Sequence, residues 1–383
     1  MNKLPGNYGD ITALIRSWAK NQEQPLPPIT ATNFEATWAT LCAHNVEASL
    51  GPLLSEYHND SAIRQKIDKS RQRTQLLMLE CERILPALTT DSCQPVLLKG
   101  VALALTSYAV PSDRWFLDLD ILLPAAEVAE ACARLESLGY RPLQGLRDPR
   151  FYDKYHLHRI MVGPQGAVVE LHWDLTLPGS VYRHDVAGVA KRAQKHQLGR
   201  LEVLCAAPVD QILHGVYQNI ADGFVDLRRT LDTVLLIEQM QDSDWEYLVT
   251  EAHKTNMDRG LWISLHMMKL ISGYSVPPAV MAGLQPDSFT RRVAHGLELD
   301  RGCVERKGQT SGEYVQMLHL LSTPPGRPCC RELVRSLWLD EGMLLDQGYR
   351  PNQLPGIVTR LVLSLRRLKI LVFVGWRVTK AFV

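Results

Sequence analysis

Residues 115–123 read Trp-Phe-Leu-Asp-Leu-Asp-Ile-Leu-Leu, an apolar run that contains two aspartates. An apolar run of this length that stops at Pro124 predicts a mostly buried strand. Because side chains two residues apart on a strand point to the same face, Asp118 and Asp120 should project together, while Leu117, Leu119 and Ile121 pack on the opposite side. Neighbouring buried carboxylates repel each other, and a divalent cation such as Mg²⁺ removes that cost. The pair therefore indicates metal-assisted phosphoryl or nucleotidyl transfer, and a solvated strand end is the alternative.

The residues before this strand predict a phosphate-binding turn. Residues 96–100 read Val-Leu-Leu-Lys-Gly, the pattern of a short buried strand that turns into a helix. Gly100 allows the backbone to approach a phosphate closely, and the helix N-terminus provides free N–H groups. Lys99 adds a positive charge, and Arg114, four residues before Asp118, offers a bidentate guanidinium for a triphosphate.

A third acidic residue follows on a later strand. Residues 168–173 read Val-Val-Glu-Leu-His-Trp and predict a strand that places Glu170 and His172 on one face. The Gly-Pro-Gln-Gly sequence at 163–166 predicts a turn that pairs this strand with residues 159–162 as an antiparallel hairpin. On a strand beside the aspartate pair, Glu170 would complete a carboxylate triad. It would then ligate metal or accept the proton of an attacking hydroxyl.

These elements predict an α+β fold in which a small mixed-sheet core is flanked by N-terminal and C-terminal helical regions. Apolar residues recur at helical spacing before residue 90 and again from about 208 to 345. The predicted organisation is an N-terminal helical region, an α/β core, a C-terminal helical domain and a basic amphipathic tail, over residues 1–90, 91–206, 207–349 and 350–383.

Composition excludes several classes of protein. Lys and Arg total 42 and Asp and Glu total 41, so no global positive field attracts bulk DNA. Apolar residues make up 46%, which excludes disorder as the main state. The eight cysteines form no Cys-x-x-Cys pair, and the N-terminus has no apolar signal segment. These observations predict reduced thiols in a cytoplasmic protein.

The tail at 350–383 carries seven basic residues and no acidic residue. Arg366, Arg367 and Lys369 interrupt its apolar stretch near the middle, so it is a poor candidate for a membrane-spanning helix. The favoured interpretation is a terminal helix packed on the body with its basic face in water. The alternative is peripheral contact with an anionic membrane or an acidic partner.

At this point the order and spacing of the motifs resemble a known family. The resemblance covers roughly residues 90–280 and is to the uncharacterised nucleotidyltransferase family of the polymerase-β-like nucleotidyltransferase superfamily. Its motifs are Leu98-Lys99-Gly100-Val101-Ala102-Leu103, Tyr108, Arg114, Asp118-x-Asp120, Leu138-Gly139-Tyr140, Glu170-Leu-His172-Trp173, Leu227-Arg228-Arg229-Thr230-Leu231-Asp232, Asp244-Trp245 and Gly273-Tyr-Ser-Val-Pro277.

The resemblance implies roles for these residues. Asp118 and Asp120 would hold two catalytic Mg²⁺ ions, and Glu170 would be the third acidic ligand or the base. An NTP, with ATP as the expected nucleotide, would be positioned by Lys99, Gly100 and Arg114, with His172 and Arg228 as further binding candidates. For Arg228 an ion pair with Asp232, four residues later on a helix, is an equally weighted alternative.

The chain departs from the family pattern at two places. Val101 follows Lys99-Gly100 where the superfamily usually has Gly-Ser or Gly-Gly, so no side-chain hydroxyl is available at this turn. The family often has a histidine near residues 218–219, and here the nearest is His214. Separately, His156, His158 and His172 could form a three-histidine zinc site. This is the weaker alternative, because the sequence shows no carboxylate partner for them.

The resulting prediction is a Mg²⁺-dependent nucleotidyltransferase that moves a nucleotidyl group from an NTP to a hydroxyl or similar acceptor and releases pyrophosphate. The alternatives are an NTP-dependent phosphotransferase acting on a peptide or small molecule, and a catalytically silent nucleotide-binding scaffold. The acceptor could be a small molecule, a peptide or an RNA end. Removing either Asp118 or Asp120 is expected to abolish turnover, because a metal ligand is lost. The fold should stay intact or become more stable, because like-charge repulsion is relieved.

Overall fold

A computed structural model describes residues 8–19, 31–55, 60–143, 154–296, 303–304, 312–337 and 356. All of the predicted tail at 350–383 except residue 356 lies outside the described residues, so its contacts stay a prediction. In the part of the chain that is described, no helix is long and apolar enough to span a membrane.

The strands are short and come from the middle third of the chain. They are β1 (Val96–Leu97), β2 (Asp118–Leu122), β3 (Arg141–Pro142), β4 (His158–Val162), β5 (Val168–His172), β6 (Gln194–Leu198) and β7 (Leu201–Cys205). They form one seven-stranded sheet in the order β3-β4-β5-β2-β1-β7-β6. The pairs β2–β5 and β1–β7 are parallel and the other neighbours are antiparallel, so the sheet is mixed.

Helices lie on both sides of this segment in the sequence. Before and within it are α1 (Tyr8–Ala19), α2 (Ala31–His44), α3 (Glu47–Ser55), α4 (Ser61–Leu88), α5 (Lys99–Thr106), α6 (Val128–Ser137) and α7 (Val186–Arg192). After it are α8 (Pro208–Asp222), α9 (Leu227–Ile237), α10 (Asp242–Lys254), α11 (Asp258–Ser272), α12 (Pro278–Gly283), α13 (Ser288–Gly296), α14 (Gly312–Ser322) and α15 (Arg327–Leu337). The predicted fold class is therefore confirmed.

The long helix α4 joins two hydrophobic cores. The Asp60 side chain caps its N-terminus by accepting a hydrogen bond from the Ala62 N–H at 2.7 Å. Ile63 and Ile67 in its first half pack with α1–α3 and the C-terminal helices. Its second half packs on one face of the sheet through Leu77, Cys81, Ile84, Leu85 and Leu88, at the spacing of one helix face. The helix thereby connects the α/β core to the helical regions.

The two faces of the sheet differ. Leu119 and Ile121 of β2 and Val169 and Leu171 of β5 are fully buried against α4 and α6. A smaller apolar cluster covers part of the other face. It consists of Val96, Leu98, Leu122, Leu175, Val189 and Ala206. The polar residues of β2 and β5 also belong to this second face, because side chains alternate along a strand.

Some local predictions need correction. The helix predicted after the first strand is observed as α5 (Lys99–Thr106), so Lys99 is its first residue. Leu117 does not pack with Leu119 as expected but is 44% exposed, because it precedes the first residue of β2. The predicted hairpin at 159–173 is confirmed, and its turn is closed by the Gly163 N–H bonding the Ala167 carbonyl at 2.8 Å. The β6–β7 hairpin was not predicted, because β6 reads Gln-Lys-His-Gln-Leu and its polar residues show no alternation at this exposed sheet edge.

Candidate active site

Strand register brings three carboxylates to one region of the sheet. In the parallel β2–β5 pair, Asp120 lies directly opposite Glu170. Asp118 is two residues earlier on β2 and so points to the same face. Asp120 is 1% exposed, whereas Asp118 and Glu170 are half-buried. Because water solvates these charges poorly, their ionisation depends on the charged groups around them.

Lys99 supplies a positive charge within the cluster. Its Nζ donates to Asp120 Oδ1 at 2.5 Å and lies 3.6 Å from Glu170 Oε2. Burial alone would lower the pKa of Lys99, but the Asp120 and Glu170 carboxylates outweigh burial and raise it. Lys99 has φ +46°, a left-handed conformation that costs a non-glycine residue about 1–2 kcal/mol. A strained turn between β1 and α5 therefore accompanies the placement of this ammonium beside the carboxylates.

His172 contacts two of the three acids. Its Nε2 lies 2.9 Å from Asp120 Oδ1 and 3.2 Å from Glu170 Oε2, and the side chain is 1% exposed. Burial would lower the pKa of His172, but the bonds to Asp120 and Glu170 outweigh burial and raise it. The side chain therefore favours the charged form more than an ordinary histidine does.

The two aspartates titrate in opposite directions. Burial, together with the nearby charges of Asp120 and Glu170, raises the pKa of Asp118 to about 6. Burial acts in the same direction on Asp120, but the contacts with Lys99 and His172 outweigh it and hold the pKa of this carboxyl well below its usual range. Asp118 therefore has less stabilisation of its negative charge by nearby positive groups than Asp120 has.

His158 completes the polar cluster from the next strand. It lies directly opposite His172 in the β4–β5 register, and the two rings meet edge to face at 4.8 Å. His158 Nδ1 is 3.4 Å from Glu170 Oε2. Burial lowers the pKa of His158 to about 4, so the ring is neutral at physiological pH. Sequence reasoning noted His158 but left it out of the site, since only strand register shows that it faces Glu170.

Arg114 pairs with a carboxylate on a distant helix. Its Nε and Nη2 donate to the two carboxylate oxygens of Asp232, each at 2.7 Å, and a further bond goes from Nη1 to the Trp115 carbonyl. Tyr108 Oη also donates to Asp232, at 2.8 Å. The guanidinium therefore ties the segment before β2 to α9, and its role in triphosphate binding stays a prediction.

Arg228 also has a different partner from the one expected. It does not pair with Asp232 but with Asp226, through Nε at 3.1 Å and Nη2 at 2.6 Å. Its guanidinium lies over the Trp115 ring, 5.0 Å from the centroid. The i,i+4 ion pair fails because Arg114 occupies both carboxylate oxygens of Asp232. The predicted nucleotide contact of Arg228 stays a prediction.

Gly100 is required by packing at its position on α5. A Cβ built there would overlap Phe116 Cβ and lie 2.7 Å from Phe116 Cγ. Phe116 is buried and directly precedes Leu117 and the aspartate strand. The predicted approach of Gly100 to a phosphate remains untested, whereas its approach to Phe116 is observed.

Gly100→Ala is accordingly expected to destabilise the protein by about 2–3 kcal/mol, because Phe116 is held close to the backbone and has little room to yield. Gly215→Ala on α8 is the matched control. A Cβ there meets nothing within 4 Å, so helix propensity alone should stabilise by about 0.5–1 kcal/mol. Thermal denaturation of both variants measures the difference, and equal melting temperatures would contradict the packing explanation.

His214 lies close to the cluster, although no role for it follows from the sequence. It is buried on α8, and burial lowers its pKa well below the usual value, with a further lowering by the Lys99 ammonium. His184 packs against it with ring centroids 5.9 Å apart. The only signal in the sequence was the position of His214, four residues before the family's usual histidine. That position does not show that the His214 side chain points towards the cluster.

Comparison with known proteins identifies the family. The model of a family described as uncharacterised nucleotidyltransferase matches residues 30–273. The chain belongs to this family. The match starts well before the predicted limit near residue 90, so this nucleotidyltransferase family region includes α2, α3 and α4. Inclusion of α4 agrees with its packing on the sheet, and membership places the protein among the transferases.

Other comparisons add a structural neighbour. No curated protein matches the chain. A solved structure, the solution structure of the antibiotic-resistance factor ANT(2'')-Ia, is similar with 14% sequence identity and a TM-score of 0.35. The similarity covers 47% of this chain and 93% of that chain.

Proposed function

We propose that this protein moves a nucleotidyl group from an NTP, with ATP as the expected donor, to a hydroxyl or similar acceptor. The acceptor oxygen would form a bond to the α-phosphorus, the bond from this phosphorus to the bridging oxygen would break, and pyrophosphate would leave. The acceptor proton would pass to a base at the site. The observation that carries the proposal is the convergence of Asp118, Asp120 and Glu170 on one sheet face beside Lys99.

The residues at this site fit Mg²⁺. Three carboxylates lie around Lys99 and His172, and the pKa of Asp118 is raised to about 6 by burial and by the charges of Asp120 and Glu170. A hard divalent cation bound by oxygen ligands would remove this cost. Asp118, Asp120 and Glu170 are the residues that would hold it, with two ions expected. Bound Mg²⁺ would polarise the phosphates and offset the charge that develops on pyrophosphate.

Other side chains of the cluster would prepare the site for the donor. The flexible Lys99 side chain carries a positive charge suited to a phosphate oxygen once the carboxylates have another counter-charge. His172 restrains Asp120 and Glu170 through its Nε2 contacts at 2.9 and 3.2 Å. Glu170 Oε2 is the atom proposed to accept the acceptor proton if Glu170 acts as the base.

The acceptor class is proposed more broadly, as a small molecule, a peptide or an RNA end. The near balance of 42 basic and 41 acidic residues weighs against bulk DNA. A location in the cytoplasm is likewise proposed, with peripheral membrane contact through residues 350–383 as an alternative.

Calorimetric titration with ATP, GTP, CTP and UTP tests the proposal. We expect one nucleotide to bind the wild-type protein only when Mg²⁺ is present, and we expect Asp118→Asn to abolish that binding. Glu202→Gln is the control, because Glu202 is an exposed carboxylate of the same sheet that pairs with Lys195. Binding that is unchanged by Asp118→Asn would refute the site.

The mass of the modified acceptor then distinguishes the reactions, since a nucleotidyl group is far heavier than a phosphoryl group. An acceptor that gains only a phosphoryl group would favour the phosphotransferase alternative. Nucleotide binding without any product from candidate acceptors, and without slow NTP hydrolysis, would favour the scaffold.

A further inference from the structure

We propose that His158, Glu170 and His172 form a binding site for a borderline divalent metal ion such as Co²⁺ or Zn²⁺. One ligand atom from each residue lies within 4.8 Å of the others. This set differs from the three histidines considered from sequence, since it replaces His156 with a carboxylate. It adjoins the proposed Mg²⁺ site by sharing Glu170, but it does not require nucleotidyl transfer to take place.

The ligand types favour a transition metal over Mg²⁺. Two imidazole nitrogens and one carboxylate oxygen suit Zn²⁺ and Co²⁺, whereas Mg²⁺ prefers oxygen ligands and holds several waters. The Asp118 and Asp120 pair offers oxygen alone. The sheet face therefore carries two adjoining sets of ligands with different metal preferences, and Glu170 is common to both.

The backbone holds the three ligands in place. His158 and His172 are directly opposed on antiparallel strands, and Glu170 is two residues from His172 on the same face. His172 Nε2 and Glu170 Oε2 are 3.2 Å apart, and His158 Nδ1 is 3.4 Å from the same oxygen. The histidine side chains are 15% and 1% exposed. The ligands are thus gathered before any ion arrives, which reduces the ordering cost of binding.

Lys99 competes with a bound ion for the Glu170 carboxylate. Its Nζ is 3.6 Å from Glu170 Oε2 and 2.5 Å from Asp120 Oδ1, so it compensates the cluster when no metal is bound. Three protein ligands leave coordination positions open, as in catalytic metal sites, for water or an oxygen of a bound phosphate. An ion here would therefore sit at the edge of the proposed nucleotide site.

Titration of chelator-treated, full-length protein with Co²⁺ in the absence of nucleotide tests the proposal. The measurement is the change in the visible absorption spectrum of Co²⁺ when imidazole replaces water as a ligand. We expect one Co²⁺ per chain with a visible spectrum that persists in excess Mg²⁺. His158→Gln should weaken Co²⁺ binding by more than about tenfold, because loss of even an outer-shell partner of a metal ligand typically costs about tenfold to a hundredfold. His156→Gln is the matched control, because its ring lies 5.5 Å from His158 outside the ligand set, and its affinity should be unchanged.

Two further variants separate this proposal from the proposed function. Lys99→Met should bind Co²⁺ more tightly, because a competing positive charge is removed. Asp118→Asn should keep the Co²⁺ spectrum while it loses transfer, so failure of transfer alone leaves the metal site standing. Equal Co²⁺ affinity in the wild type and His158→Gln would overturn the site, as would displacement of Co²⁺ by equimolar Mg²⁺. Circular dichroism of each variant confirms that the fold is retained.

Discussion

Asp118→Asn is expected to stabilise the protein and Asp120→Asn to destabilise it, although both should abolish nucleotidyl transfer. The pKa of Asp118 is raised from 3.8 to about 6, so the folded state retains a proton that the unfolded chain releases at lower pH. Its charge therefore costs stability progressively as pH rises from about 4 to about 6. At pH 7 the full cost is about 1–3 kcal/mol, and the amide of Asp118→Asn avoids it.

The charge of Asp120 has the opposite effect on stability from that of Asp118. Its pKa is depressed in the folded state because Lys99 and His172 outweigh the effect of burial. The stability it contributes is fully present above the unfolded pKa and is lost as pH falls below it towards the folded pKa. Asp120→Asn removes the buried partner of Lys99, and we expect a loss of roughly 3 kcal/mol at pH 7.

Thermal denaturation in the presence of a chelator, at pH 5 and pH 7.5, measures both effects. The advantage of Asp118→Asn over the wild type should be larger at pH 7.5, while Glu202→Gln should match the wild type at both values. A lower melting temperature for Asp118→Asn than for Asp120→Asn would contradict the assignment. The sequence predicted the same outcome for both variants, because it showed the like charges but not that Lys99 and His172 bond to Asp120 and leave Asp118 without such a bond.

Asp232→Ala is expected to cost about 3–5 kcal/mol, because it leaves the Arg114 guanidinium buried without its carboxylate partner. The two side chains are 9% and 6% exposed, and two hydrogen bonds of 2.7 Å join them. Asp222→Ala is the matched control. Asp222 also pairs with an arginine, Arg229, at 2.6 Å, but it is 51% exposed, so its loss should cost less than about 1 kcal/mol.

Urea denaturation of the two variants gives the comparison, and similar midpoints would show that the buried pair does not hold α9 against the core. The double variant Arg114→Met/Asp232→Leu should recover much of the stability, since it leaves no buried charge without a partner. Nucleotide titration of Arg114→Met also tests the original triphosphate role. A loss of nucleotide affinity well beyond that of Asp232→Ala would support triphosphate binding by Arg114.

Much of the candidate site could be predicted from local sequence. Alternation along residues 115–123 and 168–173 places Asp118 with Asp120 and Glu170 with His172, because side-chain direction on a strand repeats every two residues. The turn at Lys99 followed from the change between a strand and a helix pattern. These predictions depend only on neighbours in the chain.

The partners of the charged residues could not be predicted in this way. Arg114 and Asp232 are 118 residues apart, and nothing in either local sequence shows that they meet. A helix pattern instead suggested Arg228 as the partner of Asp232, since residues four apart share a helix face. Burial decided the outcome, because Arg114 enters the interior and takes both oxygens of the carboxylate.

Local sequence is therefore enough to predict strands β2, β4 and β5, the face on which each acidic residue lies and membership of the nucleotidyltransferase family. The position of Asp120 opposite Glu170, that of His158 opposite His172 and the ion pair of Lys99 with Asp120 follow from tertiary packing. The two kinds of feature depend on interactions of different range along the chain. Side-chain direction follows from the backbone geometry of adjacent residues, whereas strand register and ion pairing depend on how distant segments pack, which sets both the contacts and the pKa values of the site.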